Sequence, residues 1–493
     1  MKIIRASAAF SFATLISRIA GFLRDAGIAY FFGSSIVSDA FFIAFRIPNT
    51  LRRIIGEGGF NAVFIPLYSQ SLKEGDEFSF LSRVFSLYMV FTLLITLLGI
   101  LFASYIILLL APGFANTEAY SLAVYMTRWL FLYLPFIALS SYFMGILNTR
   151  KRFFVPAFSQ AVFNSVMLIS LILFAERFGY TSLIVGVLTG GIFQVLIYFP
   201  AIAKLKVKFS ISFEIDEKIK TLGRRLLPSI AGYGITQISF FVDTILASFI
   251  GTGAISYIYY ANRIFQLPLG VFSVGVANSL LSFVAIQEGK REENVKLTSR
   301  LIFLLIIPSS AGLFVLSLPI VKTIYGRGKF EFEDAVITSS LLSIYSMSLI
   351  FFSLQKLVAS LFFAKGDTLT PMKTTAVYVI SEAFFSVMYA FILKLSIYGL
   401  SLGTLSASII SFVYIYMRSS DKFLWDIKDT VVKSILSSFF MVLFIKLISI
   451  NYSMSYLTQV FFLIPLGAFV YWLSLLILRE RMILDLIKGR VIK

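Results

Sequence analysis

The stretch SRVFSLYMVFTLLITLLGILFASYIILLL, residues 82–110, decides the fold class of this protein. After Arg83 it contains no charged side chain. A helix of about 20 apolar residues is long enough to cross the hydrocarbon core of a bilayer. Because the apolar residues are continuous and do not alternate with polar ones, the stretch predicts a transmembrane helix and excludes a transmembrane β-strand.

The same apolar character extends over the rest of the chain. Of its 493 residues, 58% are hydrophobic and only 14% are charged, whereas a soluble domain carries about 25% charged residues. We therefore predict an all-α integral membrane protein with about fourteen transmembrane helices. The predicted spans lie near 7–32, 36–68, 82–110, 118–146, 154–176, 181–202, 226–250, 254–286, 299–324, 335–364, 372–394, 398–417, 430–450 and 455–478.

The residue types that are missing exclude several kinds of chemistry. The chain has no Cys and no His, so disulfides, thiol chemistry and the commonest general base and metal ligand are absent. It also lacks the G-x-x-x-x-G-K-[ST] loop of ATP-hydrolysing enzymes. We therefore predict that the protein is not an enzyme.

Basic residues are concentrated in every second connection between the predicted helices. The connections at 150–152 and 203–225 are rich in Lys and Arg, whereas the alternate connections carry few. By the positive-inside rule, the basic connections and both termini are cytoplasmic. An even number of helices places both termini on the same side of the membrane, which agrees with this orientation.

The two halves of the chain resemble each other. Residues 24–34 are echoed by 243–252, and residues 45–47 by 262–264. Six predicted helices separate the copies, so both would have the same membrane orientation, and transporters are often built from such parallel repeats. Chance similarity among Phe- and Ile-rich helices is the alternative.

From the repeat we predict two six-helix lobes around a central cavity. The N-terminal lobe would comprise residues 1–217 and the C-terminal lobe residues 218–420. Two further helices in residues 421–493 complete the chain.

Charged residues inside the predicted spans indicate an anionic ligand. A basic residue at a helix centre costs roughly 2.5–3.5 kcal/mol, so it should meet a partner or a water-filled cavity. In helices 1 and 2 the bases outnumber the acids; they are Arg18, Arg24, Arg46, Arg52 and Arg53 against Asp25, Asp39 and Glu57. Guanidinium groups bind phosphate bidentately. Alternatively, the acids and arginines only hold helices together as ion pairs.

The second half carries fewer embedded charges. Asp243 lies in helix 7, Glu382 and Ser386 lie in helix 11, and Thr404 lies in helix 12. Carboxylates and hydroxyls could coordinate a small cation through oxygen. In the alternative interpretation, the two acids are protonated or paired with Arg263.

Several motifs resemble the MurJ (MviN) family, the lipid II flippases of bacterial peptidoglycan synthesis. They are SRIAGFLRD at 17–25, SDAF at 38–41, RIPNTLRRI at 46–54 with Glu57-Gly58, and Asn262-Arg263 in helix 8. That family shares a superfamily with multidrug and oligosaccharide-lipid exporters. The resemblance covers the whole chain.

The resemblance implies a substrate and a set of site residues. The substrate would be lipid II, a disaccharide–pentapeptide joined to undecaprenyl through pyrophosphate. The family's cavity arginines correspond to Arg18, Arg24, Arg52 and Arg263. The charge pattern adds Asp25, Asp39 and Arg53 as further candidates. The helical periodicity by itself favours Arg53 over Arg52, whereas the family favours Arg52. The last two helices would form a groove for the lipid tail.

Some members of the family bind sodium through an acid on helix 7 and residues on helices 11 and 12. Asp243 and Thr404 match that pattern, whereas Glu382 and Ser386 stand where the family has Asn and Asp. The resemblance therefore implies Na⁺ as a coupling ion and no other cofactor.

We accordingly expect a monomeric lipid II flippase of the bacterial cytoplasmic (inner) membrane, which works by alternating access and contributes to cell-wall synthesis and cell shape. A membrane potential or a cation gradient would drive it, and its partners would be lipid II and membrane lipids, not nucleic acid. The alternatives are a cation-coupled oligosaccharide-lipid or drug exporter of the same fold, a membrane enzyme acting on polyprenyl-linked sugars, and an anion channel. A cationic-drug exporter needs an acidic or aromatic cavity, whereas the cavity predicted here is basic. An enzyme needs catalytic groups, and the sequence offers no convincing set of them.

Overall fold

The computed structural model describes residues 2–235, 238–274, 291–420, 423–424 and 426–487. These residues form helices and turns, with no strand among them, so the predicted all-α class is confirmed. The helices up to the middle of the chain are α1 (Lys2–Phe32), α2 (Ile36–Leu51), α3 (Gly59–Glu74), α4 (Glu77–Leu101), α5 (Ala103–Leu110), α6 (Glu118–Phe131), α7 (Leu134–Thr149), α8 (Phe154–Phe178), α9 (Thr181–Leu196), α10 (Phe199–Ala203), α11 (Glu217–Ile235), α12 (Ile238–Ser248) and α13 (Ala254–Pro268).

The later helices are α14 (Arg291–Val315), α15 (Ser317–Ile324), α16 (Phe332–Ala364), α17 (Leu369–Val387), α18 (Ser396–Arg418), α19 (Lys428–Asn451), α20 (Tyr456–Thr458), α21 (Ile464–Ile477) and α22 (Arg481–Ile487). Short π-helical segments follow α2 at Arg52–Gly58, α13 at Leu269–Val274, α17 at Met388–Ile392 and α20 at Gln459–Leu463. A single 3₁₀ turn at Pro112–Phe114 follows α5.

Within the described residues, ten helical segments are long and apolar enough to cross a membrane. They correspond to the predicted spans apart from those near 7–32, 36–68, 226–250 and 254–286. The span predicted at 36–68 is divided by the π-helical segment, and residues 275–286 of the last span lie outside the described residues. A multi-pass membrane protein is confirmed, whereas the count of fourteen stays a prediction.

Several predicted spans differ in detail from the helices of the structure, and in two of them the local sequence gives the reason. The span at 118–146 consists of α6 and α7, which meet at a turn just before Pro135. Proline is accommodated at the start of a helix, where its missing N–H group has no partner to lose. α3 continues beyond the predicted end at residue 68 and ends where Gly75 adopts φ 77° and its N–H group bonds Ser71 O.

The chain divides into two compact units, Met1–Ser256 and Tyr257–Lys493, and the boundary falls inside α13. In the first unit, α8 packs against α1 and α9, α2 packs against α6, and α7 packs against α3 and α4. Stacked rings join α3 to α4, with the Phe60 and Tyr88 centroids 4.1 Å apart. These contacts place α1, α2 and α8, which carry the site residues, in one packed unit.

In the second unit, α17 packs against α18, and α16 packs against α14 and α18. α19 packs against α14 and α21. The hydroxyls of Ser434 and Tyr471 lie 2.8 Å apart, and Tyr471 donates a hydrogen bond to Leu304 O at 2.8 Å. The last two long helices are therefore joined to the unit by buried polar contacts as well as apolar ones.

Ion pairs connect the ends of several helices in the first unit. Arg150 Nη2 lies 2.6 Å from Glu77 Oε1, and Lys218 Nζ lies 2.6 Å from Glu74 Oε2. The hydrogen bond to Glu77 raises the pKa of Arg150, and the hydrogen bond from Lys218 lowers the pKa of Glu74. Solvent reaches these side chains and screens their attraction, so packing of the apolar helices is the larger contribution.

Candidate functional site

Arg24 and Asp25 form a buried ion pair on α1. Both Arg24 Nε and Arg24 Nη2 donate to Asp25 Oδ1, at 2.9 and 2.6 Å. Arg24 Nη1 donates to Asn164 Oδ1 on α8 at 2.9 Å, and the guanidinium lies over the ring of Phe45. The structure therefore brings together two predicted site residues and holds the arginine from three sides.

Arg52 begins the π-helical segment and lines a cavity in the first unit. Its guanidinium donates a hydrogen bond to the side-chain oxygen of Gln160 on α8. The cavity has a volume of about 690 Å³. Its lining residues are Thr14, Arg52, Gly58, Asn61, Ala62, Ile65, Met144, Asn148, Phe153, Pro156, Ala157 and Gln160. Among the side chains that the structure describes, this lining combines one arginine with uncharged polar and apolar groups, which suits a ligand that carries negative charge.

The other predicted arginines occupy different positions. Arg18 is exposed on α1, and it lies one turn after Thr14, which lines the cavity, on the same helix face. Arg53 is exposed, although its neighbour Arg52 lines the cavity. Arg263 is partly buried on α13, in the second unit.

Asp39 contacts the beginning of α13 through both of its carboxylate oxygens. It accepts hydrogen bonds from the backbone N–H groups of Gly253 at 2.6 Å and Ser256 at 2.8 Å. The Ser256 hydroxyl adds a third bond at 2.5 Å. A carboxylate at this position satisfies N–H groups that the helix itself leaves without partners. In this structure the carboxylate of Asp39 is therefore hydrogen-bonded to other residues of the protein.

Asp243 is buried on α12 next to Arg46. Arg46 Nη1 donates a hydrogen bond to Thr244 Oγ1, and its positive charge acts on the carboxylate of Asp243. Among the described residues, Asp243 Oδ1 accepts no hydrogen bond. Arg46 is therefore a positive neighbour of this acid within the first unit.

Three of the predicted cation ligands lie on α17 and α18 in the second unit. Glu382 Oε1 accepts a hydrogen bond from Tyr378 at 2.6 Å and from Thr404 Oγ1 at 3.4 Å. Ser386 Oγ donates to Leu400 O at 3.5 Å, and a Cβ atom on Gly403 would lie 2.1 Å from Ser386 Oγ. The residues offer the oxygen ligands that a small hard cation takes.

The described residues contain no group of three or more His, Cys, Asp or Glu side chains that could hold a metal ion. A cation at this position would therefore depend on one carboxylate together with hydroxyl and carbonyl oxygens. Asp243 belongs to the first unit and Glu382 to the second.

Sequence analysis missed the neutral partners of the charged residues. Gln160 and Asn164 lie one turn apart on α8 and accept hydrogen bonds from Arg52 and Arg24. Their spacing of four residues inside an apolar helix is a signal that could have identified them. The same spacing relates Tyr378 to Glu382.

Comparison with known proteins agrees with this all-helical membrane architecture. The family described as "Lipid II flippase MurJ" matches residues 28–469. A protein of Aquifex aeolicus named "Probable lipid II flippase MurJ" is 40% identical over 98% of this chain and 96% of its own length. A protein of the same name from Buchnera aphidicola is 36% identical over 76% of each chain.

Solved structures of two kinds have a similar fold. A structure described as "Lipid II flippase MurJ, inward closed conformation" superposes with a TM-score of 0.83 at 29% identity, and covers 97% of this chain and 99% of that one. A multidrug resistance MATE family transporter superposes with a TM-score of 0.67 at 16% identity, and covers 84% of this chain and 98% of that one. At that identity the second likeness concerns the fold alone.

The fold and the arginine-containing cavity define a multi-pass, all-helical membrane transporter. Such a protein is not an enzyme, as the sequence predicts. The family match covers most of the chain, and the Aquifex relative matches nearly all of it. The chain belongs to the MurJ family of lipid II flippases.

Proposed function

We propose that this protein moves lipid II from the cytoplasmic to the outer leaflet of the bacterial inner membrane by alternating access. The observation that carries the proposal is the cavity lined by Arg52, in a chain of this family. Guanidinium groups donate paired hydrogen bonds to pyrophosphate oxygens. Gln160 orients the Arg52 guanidinium without adding charge, while the polyprenyl tail stays in the lipid.

We further propose the complete architecture that the sequence predicts. It comprises fourteen helices, two six-helix lobes around a central cavity, a groove for the lipid tail along α19 and α21, and cytoplasmic termini in a monomer. The repeat is supported by the glycines that follow the first helix of each copy. Gly33 has φ 60° and Gly251 has φ 140°, so both turns use backbone conformations that favour glycine.

A membrane potential or a sodium gradient would drive the cycle. A potential of 100 mV supplies about 2.3 kcal/mol for each elementary charge that crosses. The oxygen atoms of Glu382, Ser386 and Thr404 are the proposed Na⁺ ligands in the second unit, and Asp243, the other residue of the predicted set, stays a prediction. The contact between Thr404 and Glu382 supports that choice.

Proteoliposomes containing the full chain and lipid II test the proposal. Arrival of lipid II in the opposite leaflet is measured under an imposed potential, a sodium gradient, or neither. We expect Arg52→Gln to abolish transport. Gln160→Leu should slow it about tenfold or more, because a hydrogen bond to a charged group is worth roughly 1.5–3 kcal/mol.

Gln70→Leu is the matched control, since Gln70 is exposed and bonds Glu74. It should transport like the wild type. Absence of transport by the wild type, or full transport by Arg52→Gln, would contradict the proposal. If Glu382→Gln retains the same response to sodium as the wild type, the sodium site is wrong while the flippase function stands.

A further inference from the structure

A second cavity lies beside the turn that joins α7 to α8. It has a volume of about 450 Å³, within the range of small-ligand sites. Its lining residues are Lys151, Arg152, Phe153, Phe154, Val155, Ile197, Pro200, Ala201 and Lys204. Three of them are basic, none is acidic, and the rest are apolar. We call this cavity the loading pocket.

The backbone around the loading pocket is well defined by hydrogen bonds. Lys151 has φ 59°, its N–H group bonds Asn148 O at 3.0 Å, and the N–H group of Arg152 bonds Leu147 O at 2.8 Å. This pattern is typical of a helix C-terminus that ends in a left-handed residue. On the other side, the N–H group of Lys204 bonds Pro200 O at 3.2 Å. Two helix ends therefore hold the three basic residues around one cavity.

The charges in the loading pocket are available to a ligand. Arg150, the residue before Lys151, is paired with Glu77. By contrast, Lys151, Arg152 and Lys204 form no ion pair with any residue that the structure describes. α8 begins in the pocket at Phe154 without a side-chain cap, so its N-terminus adds positive partial charge. The ligand that suits this surface is an anion with an apolar part.

Phe153 lines both the loading pocket and the Arg52 cavity, so the two cavities share this residue. We propose that the loading pocket binds the pyrophosphate headgroup of the polyprenyl-linked substrate before it passes Phe153 and reaches Arg52. The inference rests on the proposed function.

Charge and position favour pyrophosphate over an ordinary phospholipid headgroup. A phosphodiester carries one negative charge, whereas a pyrophosphate diester carries two and so matches three converging cations better. The connections at 150–152 and 203–225 are those that the positive-inside rule places in the cytoplasm, where the substrate is loaded. The apolar walls formed by Phe154 and Ile197 suit the first isoprene units.

A pair of charge-matched triple variants tests the loading pocket in the full-length protein. One combines Lys151→Gln, Arg152→Gln and Lys204→Gln. The control combines Lys206→Gln, Lys208→Gln and Arg224→Gln, three exposed basic residues that do not line the pocket. Both lose three positive charges from the predicted cytoplasmic side. Initial transport rates are measured against lipid II density in phosphatidylcholine vesicles, with and without phosphatidylglycerol.

We expect the pocket variant to need about tenfold more lipid II for half-maximal rate, because it lacks the charged donors that would bind the pyrophosphate. Its rate at saturation should equal that of the wild type, because Arg52 is intact. The single change Lys204→Gln should shift the half-saturating density less and in the same direction. The control variant should match the wild type.

Two results would overturn the inference while leaving the proposed function in place. The pocket variant could match the control at every density, or its defect could occur only with phosphatidylglycerol, which would make a bulk phospholipid the ligand. If the wild type transports no lipid II, the proposed function fails instead. Equilibrium binding of farnesyl pyrophosphate to the two triple variants then tests the pocket separately. If the pocket variant binds it as tightly as the control variant does, the inference is contradicted.

Discussion

At the residue scale, α8 uses two amide side chains to orient two arginines. Asn164 accepts a hydrogen bond from Arg24, and Gln160 accepts one from Arg52. Arg24 differs in having Asp25 as a direct ionic partner, with both groups almost fully buried. Arg24 and Asp25 together therefore form a structural pair as well as a candidate binding site.

We expect Asp25→Asn to lower the free energy of unfolding by about 3–5 kcal/mol, because removing one partner leaves a buried charge uncompensated. The double variant Arg24→Gln/Asp25→Asn should recover much of this stability, since neither charge is then buried. Neither variant should transport lipid II. Thermal unfolding of the purified protein measures the effect, and Glu118→Gln, which alters an exposed acid, is the control. If the double variant is no more stable than Asp25→Asn, the instability of Asp25→Asn does not come from an uncompensated charge on Arg24.

At the element scale, the π-helical segment Arg52–Gly58 is the feature that places Arg52. It joins α2 to α3, and π-helical turns inside α-helices are often found at functional sites. Gly56 within it packs closely against α7, where a Cβ atom would lie 2.7 Å from Ser141 Oγ. Other atoms near that position are at ordinary contact distances, the next being Ile137 Cγ2 at 3.5 Å.

Gly56→Ala should therefore destabilise the protein by about 1–3 kcal/mol, the usual cost of overpacking. Adding Ser141→Ala removes the clashing oxygen and should restore most of the loss. Gly223→Ala on α11 is the control, because no atom lies within 4 Å of its added Cβ. Thermal unfolding and transport are measured together. Equal instability of Gly56→Ala with and without Ser141→Ala would show that the close approach does not limit this site.

At the scale of the whole molecule, the positions of the basic residues predict the orientation of the chain in the membrane. Basic residues at helix ends in the first unit include the ion-paired Arg150 and Lys218 and the lysines of the loading pocket. Positive residues are retained on the cytoplasmic side of membrane proteins. This arrangement predicts that the loading pocket lies on the cytoplasmic side, where a substrate made in the cytoplasm would first meet the protein.

Cysteine labelling tests the orientation, because the chain has no Cys of its own. We expect cysteines at Lys208 and Lys373 to react only with reagents that reach the cytoplasm. Cysteines at Glu118 and Arg327 should react with impermeant reagents added outside; all four positions are exposed. Outside labelling at Lys208 would reverse the orientation and place the loading pocket on the wrong side of the membrane for loading.

The amino-acid sequence by itself determined the all-α membrane class, the embedded arginines and the resemblance to the family. These properties depend on the length and composition of local runs, because each helix must be apolar enough to enter the bilayer by itself. Only the tertiary structure showed which residues line the cavity beside Arg52, and that Gln160 and Asn164 hold the arginines. Such contacts depend on the rotation and relative height of packed helices, which helical periodicity within one segment does not determine.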